Sequence, residues 1–164
     1  MAAAEDIARI IEQERALVFE RFDEDAAFAI GAAVRDRAIA DGLRIVCSIL
    51  LWDRPLFYMT RPGTTVDNSD WVRRKANTVR RFHKSTYRMV LEQLPRDSRL
   101  LRDFLALPPE DFVLAGGGFP INVAGIGIVG AAVVSGLPER EDHNVIVAAI
   151  AGHLGRHVET LPAE

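Results

Sequence analysis

Residues 67–91, DNSDWVRRKANTVRRFHKSTYRMVL, constrain this chain more than any other stretch. At about 100° per residue, Trp71, Val72, Ala76, Val79, Phe82, Thr86, Met89 and Val90 gather on one broad face. Arg73, Arg74, Arg80, Arg81, Lys84 and Arg88 gather on the other. The pattern predicts one long helix from Asp67 to Leu91, apolar inside and basic outside. Two residues break it. Lys75 and His83 fall in the apolar sector, where a charge or an imidazole costs free energy unless it has a partner. They are the first candidates for a site.

The remaining residues must build a core beneath that helix. With 164 residues, 49% of them hydrophobic, one domain spanning 1–164 is expected. A net charge of −3 argues against a general nucleic-acid binder, although cations concentrated on one helix leave a local preference for anions. No apolar run reaches the roughly 18 residues of a membrane span. The N-terminus MAAAEDIARI has acidic residues where a secretion signal needs positive charge, so a cytoplasmic location and no membrane partner are expected. The single Cys47 fits a reducing compartment. Lying in an apolar run, it reads as a buried, inert thiol.

Taken in order, residues 4–20 carry Ile7, Ile10, Ile11, Leu17 and Val18 at helical spacing. A second helix follows, capped by Asp23 or Asp25 and ended by Gly42 near Asp41. Arg44 to Trp52 (RIVCSILLW) reads as a central strand, and Leu56 to Arg61 as its hairpin partner. After the basic helix, residues 97–107 form an amphipathic segment and Asp111 to Ala115 a short strand. Ile121–Val123 and Gly125–Ser135 form a hairpin turning near Ala124-Gly125. A last helix starts near Pro138 and frays after Thr160. Sequential hairpins predict a mostly antiparallel sheet with helices laid against it.

Three motifs invite chemistry, and each has a plainer reading. Gly116-Gly117-Gly118-Phe119-Pro120 is either a bend that lets backbone approach backbone or a row of exposed N–H groups that receives an anion. It lacks the residues of a Walker loop or a dinucleotide fingerprint. The basic face of the long helix is a solvated surface, a subunit contact with acid such as Glu139-Arg140-Glu141-Asp142, or an anion site in which Arg74 and Arg81 form a clamp. His83 is a satisfied core or interface residue, a cofactor ligand or an acid–base group. His143, His153 and His157 share the last helix. His153 and His157, four apart, lack a third metal ligand nearby, so no metal site is expected. Asp142-His143 suits capping and polar interface chemistry. No GxSxG, HExxH or paired catalytic carboxylate occurs in a supporting context, so no catalytic set is assigned.

The element order, the GGGFPI segment, the strand GIGIVGAAVVSGL and the EREDH helix start together resemble the haem-degrading-domain family, which includes GlcG-like proteins and secreted haem-binding proteins. The stretch DWVRRKANTVRRFHKSTYRM is similar to a branch of mostly uncharacterised cytosolic proteins within it. The resemblance covers about residues 5–158. It implies a profilin-like α+β fold, a five-stranded antiparallel sheet with helices on both faces, and homo-oligomers. It leaves the cofactor open, with haem possible by resemblance alone.

The expectation is therefore a homo-oligomeric protein binding a small anionic or tetrapyrrole-like ligand. Its cleft should lie between the basic helix, the glycine turn and the last helix, the last of these from the same or a neighbouring subunit. The candidate residues are Arg74, Lys75, Arg81, His83, Gly116, Gly117, Gly118, Phe119, Pro120 and His143. A ligand-free assembly or chaperone-associated scaffold is the alternative, and a haem-degrading oxidoreductase a weaker one.

Overall fold

In a computed structural model of the chain, which describes residues 2–93 and 107–163, the apolar strands of the middle and C-terminal regions meet in one sheet. The elements in chain order are α1 (Ala2–Ala16), β1 (Val18–Phe19), α2 (Glu24–Asp41), β2 (Val46–Leu51) and β3 (Arg54–Thr60). They are followed by α3 (Val66–Phe82), α4 (Thr86–Gln93), β4 (Gly118–Val123), β5 (Gly127–Ser135) and α5 (Glu139–Leu154). The strand order is β1-β4-β5-β2-β3. The β2–β3, β2–β5 and β4–β5 pairs are antiparallel.

Alternation along β2 and β5 sorts the two faces. Val46, Ala131 and Val133 pack under Val72, Ala76 and Val79 of α3. Cys47, Ile49, Ala132 and Val134 point the other way, into the larger core shared with α2 and α5. Both faces are covered, as the unbroken apolar strands predict. A third cluster, Ile10 with Tyr87, Met89, Val90, Leu91, Leu114 and Leu161, ties α1 and the C-terminal tail to α4.

Five expectations are corrected. The first helix stops at Ala16. Leu17 is then fully buried, and Val18–Phe19 pair in parallel with Asn122 and Val123. The sheet is therefore mixed rather than antiparallel throughout, because a two-residue strand is too short to show a period of two. The long helix breaks at His83, the only described non-glycine residue with positive φ, at 55°. Asp111 to Ala115 is not a strand; α3 side chains take its carbonyls, Asn77 donating to Asp111 O and Thr78 to Val113 O. The last helix ends at Gly155, in left-handed conformation at φ 61°, instead of running on to Thr160. Most of the segment at 97–107 lies outside the described residues. Asp23 caps α2 by accepting from Ala26 N, and Gly42 ends that helix, both as expected.

Candidate functional site

Lys75 occupies the inward face of α3, one turn before Val79. Its stem runs along the core, and its ammonium emerges where β5 ends and α5 begins. There Nζ donates to Val134 O at 3.0 Å and to Asp142 Oδ2 at 3.1 Å. The two side chains are 3% and 2% exposed, so this is an ion pair inside the protein rather than on it. Asp142 lies in the first turn of α5, where its carboxylate also accepts from Leu137 N at 3.0 Å and Gly136 N at 3.3 Å. One carboxylate thus gathers the strand end, the connecting turn and the helix start, and Lys75 joins all three to α3.

Burial acts on both partners in the same sense, disfavouring the charged form. It lowers the Lys75 pKa and, as the largest influence, raises that of Asp142 to about 6, against the opposing pull of Lys75. An ammonium has three donors, and among the described residues two of Lys75's are taken. The pair floors a hollow of ≈ 330 Å³ bordered by Asn68, Trp71, Ala115, Ser135, Gly136 and Glu139. This hollow lies between α3, the end of β5 and the start of α5, beside Ala115 at the head of the glycine turn. Its lining holds one cation against two carboxylates.

The glycines are explained by close approach. A Cβ on Gly117, at φ 122°, would lie 2.2 Å from Val134 O and 3.0 Å from Lys75 Nζ. One on Gly116 would meet Glu139 O at 2.5 Å, and one on Gly118 would meet Thr86 Cγ2 at 2.9 Å. The chain passes so near α5 and β5 that no side chain fits, and Gly118 N is spent on Thr86 Oγ1. The run is a bend built for backbone contact. Phe119 and Pro120 continue as buried β4 residues, with Phe119 in the α2–α5 core.

The other candidates disperse. Arg74 lies over the Trp71 ring and donates to Pro109 O and Phe112 O, so it braces a loop. Arg81 lies over Phe82 and borders a different hollow, so it forms no clamp with Arg74. His83 is exposed at the end of α3, outside the apolar sector, because the helix stops there and its left-handed backbone turns the ring outward. His143 is fully buried; its Nε2 meets Gln13 Oε1 at 2.8 Å, and burial pushes the imidazole down to about 3. It is a neutral core residue and does not line the hollow.

Sequence reasoning passed over Asp142 as the partner of Lys75. A signal was present: Asp142 lies three and four residues before Val145 and Ile146, on the buried side of α5. A lysine and an aspartate, each on an apolar helix face, are natural partners.

Haem asks for an axial ligand such as His, Cys, Met or Tyr and for cations to meet its propionates. The Lys75 hollow is lined by none of those ligands. A larger hollow of ≈ 610 Å³, between α1 and residues 157–159, has His157 but sets Glu5, Glu12 and Glu159 against Arg9, which already pairs with Glu159. Neither of these two hollows, as the described residues line them, fits a haem. Among them, no group of three or more His, Cys, Asp or Glu could hold a metal ion.

Comparison with known proteins places this arrangement. The chain is 57% identical over 155 residues to the UPF0303 protein mlr5144 of Mesorhizobium japonicum, covering 94% of this chain and 92% of that one. It is 59% identical over 150 residues to a UPF0303 protein of Brucella anthropi, covering 92% and 88%. Among solved structures, Ybr137w superposes with TM-score 0.82 at 20% identity, over 93% of this chain and 90% of that one. A PduOC–haem complex superposes with TM-score 0.67, also at 20% identity, over 86% and 99%. These likenesses show the fold. The family described as haem-degrading, HbpS-like proteins matches residues 22–151, most of the sheet and four of the five helices, and the chain belongs to that family.

Proposed function

We propose that this protein binds a small polar ligand in the hollow above Lys75 and Asp142. The observation that carries the reading is a buried ammonium whose third donor has no partner among the described residues, in the lining of a ≈ 330 Å³ hollow. That volume is at the lower end of the usual range for small-molecule sites, roughly 300–1,000 Å³. Ionisable groups with burial-shifted pKa values in a concavity are also frequent at functional sites. With two carboxylates in the lining, a purely anionic ligand is repelled. The fitting molecule carries an acidic group for Lys75 and a hydrogen-bond donor or positive charge for Glu139 and Asp142, as a zwitterion does. This narrows the anionic ligand expected from the sequence.

The solved PduOC structure is a haem complex, so ligand binding has a precedent on this fold. The lining of the Lys75 hollow favours a smaller, more polar ligand in this chain. The reading includes a cytoplasmic homo-oligomer. Fully buried Cys47, its thiol pushed up to about 12 by burial, suits a reducing compartment. Phe28, Val66 and Ile126, exposed by 66%, 81% and 75%, offer apolar surface for assembly. No described helix is long and apolar enough to cross a membrane. The same exposed side chains favour the second reading, a ligand-free scaffold.

Amide NMR titration distinguishes the two. Serine and β-alanine as zwitterionic probes should shift Gly117, Gly136 and Leu137, whereas acetate and methylammonium, each with one charge, should shift them less. No response to any zwitterion would leave the scaffold reading.

A further inference from the structure

On the outer side of α3, most cations are already engaged. Arg73 pairs with Asp70 and Asp111. Arg74 is bonded to the carbonyls of Pro109 and Phe112. Beyond the helix break, Lys84 and Arg88 share Glu92, and Arg88 also holds Glu14. Among the described residues, Arg80 and Arg81 have no carboxylate partner. They are held by rings instead, Arg80 5.8 Å from the Trp52 centroid and Arg81 5.4 Å from that of Phe82. Stacking engages the guanidinium face and leaves its in-plane N–H groups for an acceptor.

These two arginines, with Asn77, Asp111 and Phe112, border a hollow of ≈ 580 Å³. Its far wall is built, not incidental. Arg73 donates to Glu110 O at 2.6 Å, Asn77 to Asp111 O at 2.9 Å, and Thr78 and Val113 exchange bonds of 2.8 and 3.2 Å. Asp111, the only carboxylate among the described residues of the lining, is 2.7 Å from Arg73, so little of its charge opposes an incoming anion. Two guanidiniums without a carboxylate partner among the described residues thus line one hollow with a half-buried phenylalanine on a pinned loop, in a protein whose net charge is −3.

We propose that this hollow is a second site, separate from the Lys75 hollow, which binds a small aromatic dianion. The acidic oxygens would lie between Arg80 and Arg81, where forked donors suit phosphate or carboxylate. The planar ring would lie against Phe112, an arrangement in which offset or edge contact adds to apolar burial. The shared chemistry covers an aromatic phosphate ester and an aromatic dicarboxylate.

Calorimetric titration at physiological salt, with AMP, adenosine, inorganic phosphate and phthalate as probes, tests it. AMP or phthalate should bind saturably, with Kd below about 1 mM. Adenosine and phosphate should each bind at least tenfold more weakly, since each supplies half of the contact. Arg80→Gln/Arg81→Gln should weaken the aromatic dianion at least tenfold with an unchanged circular dichroism spectrum, and Lys75→Met/Asp142→Asn should leave its binding intact. Preference for AMP over phthalate would assign the ester, the reverse the dicarboxylate. Absence of saturable binding by both, or equal binding by the double arginine variant, would overturn the site. Phosphate binding as tight as AMP would overturn the role of Phe112.

Discussion

Lys75 shows how one buried charge organises its surroundings. Replacing it with Met keeps the length and apolar stem but leaves Asp142 uncompensated, a loss of roughly 3–5 kcal/mol. The partner change matters as much. Asp142→Leu would orphan the N–H groups of Gly136 and Leu137, whereas Asn keeps one acceptor oxygen. Lys75→Met/Asp142→Asn is therefore expected to recover much of the loss, read by urea denaturation. A double variant as unstable as Lys75→Met alone would show that the pair is not the cause. The same carboxyl gives a pH signature. Its folded pKa of about 6 lies above the ordinary 3.8, so between about pH 4 and 6 the folded state holds a proton that the unfolded chain has released. This group's contribution to stability therefore falls as pH rises through that window. The difference in melting temperature between the parent and Asp142→Asn should move in the variant's favour from pH 4 to pH 6; a constant or opposite difference would contradict the raised pKa. Gly117→Val should lower the melting temperature through the 2.2 Å clash with Val134 O and the positive φ, with differential scanning as the check.

At the scale of elements, legibility followed repeated pattern and marked ends. The eighteen residues of α2 and the paired strands β2, β3, β4 and β5 were readable because each repeats its pattern or is bounded by turn residues. Strand β1 was not, since Val18–Phe19 is too short to distinguish from a helix end. The break between α3 and α4 escaped notice because no glycine or proline marks it: His83 takes the left-handed position that usually selects glycine. That reading has a direct test. His83→Gly is expected to stabilise the protein by about 1 kcal/mol, by removing the left-handed penalty of a β-carbon-bearing residue. A loss of stability would mean that the exposed ring makes a contact that matters. Gly152→Ala, inside α5 with nothing within 4 Å of the added carbon, should gain a similar amount, roughly 0.8–1.0 kcal/mol, measured by chemical denaturation.

At the scale of the whole molecule, the sheet order leaves β3 and β1 at the edges, and the two ends of α3 serve different hollows. The inward place of Lys75 was legible because it broke an apolar stripe, while the separation of its hollow from Arg81 follows the path of the loop at 109–113. That path is held by hydrogen bonds from α3 to backbone carbonyls, which no residue pattern encodes. The proposed assembly is tested by light scattering at micromolar concentration, where a dimer or larger is expected and an 18.1 kDa particle would contradict it. The measurement that bears most directly on the function is the amide titration with serine and β-alanine, carried out on the parent and on Lys75→Met/Asp142→Asn. The expected result is saturable shifts at Gly117, Gly136 and Leu137 in the parent that vanish in the folded double variant. Shifts of equal size in both proteins, or none in the parent, would contradict a ligand site at Lys75.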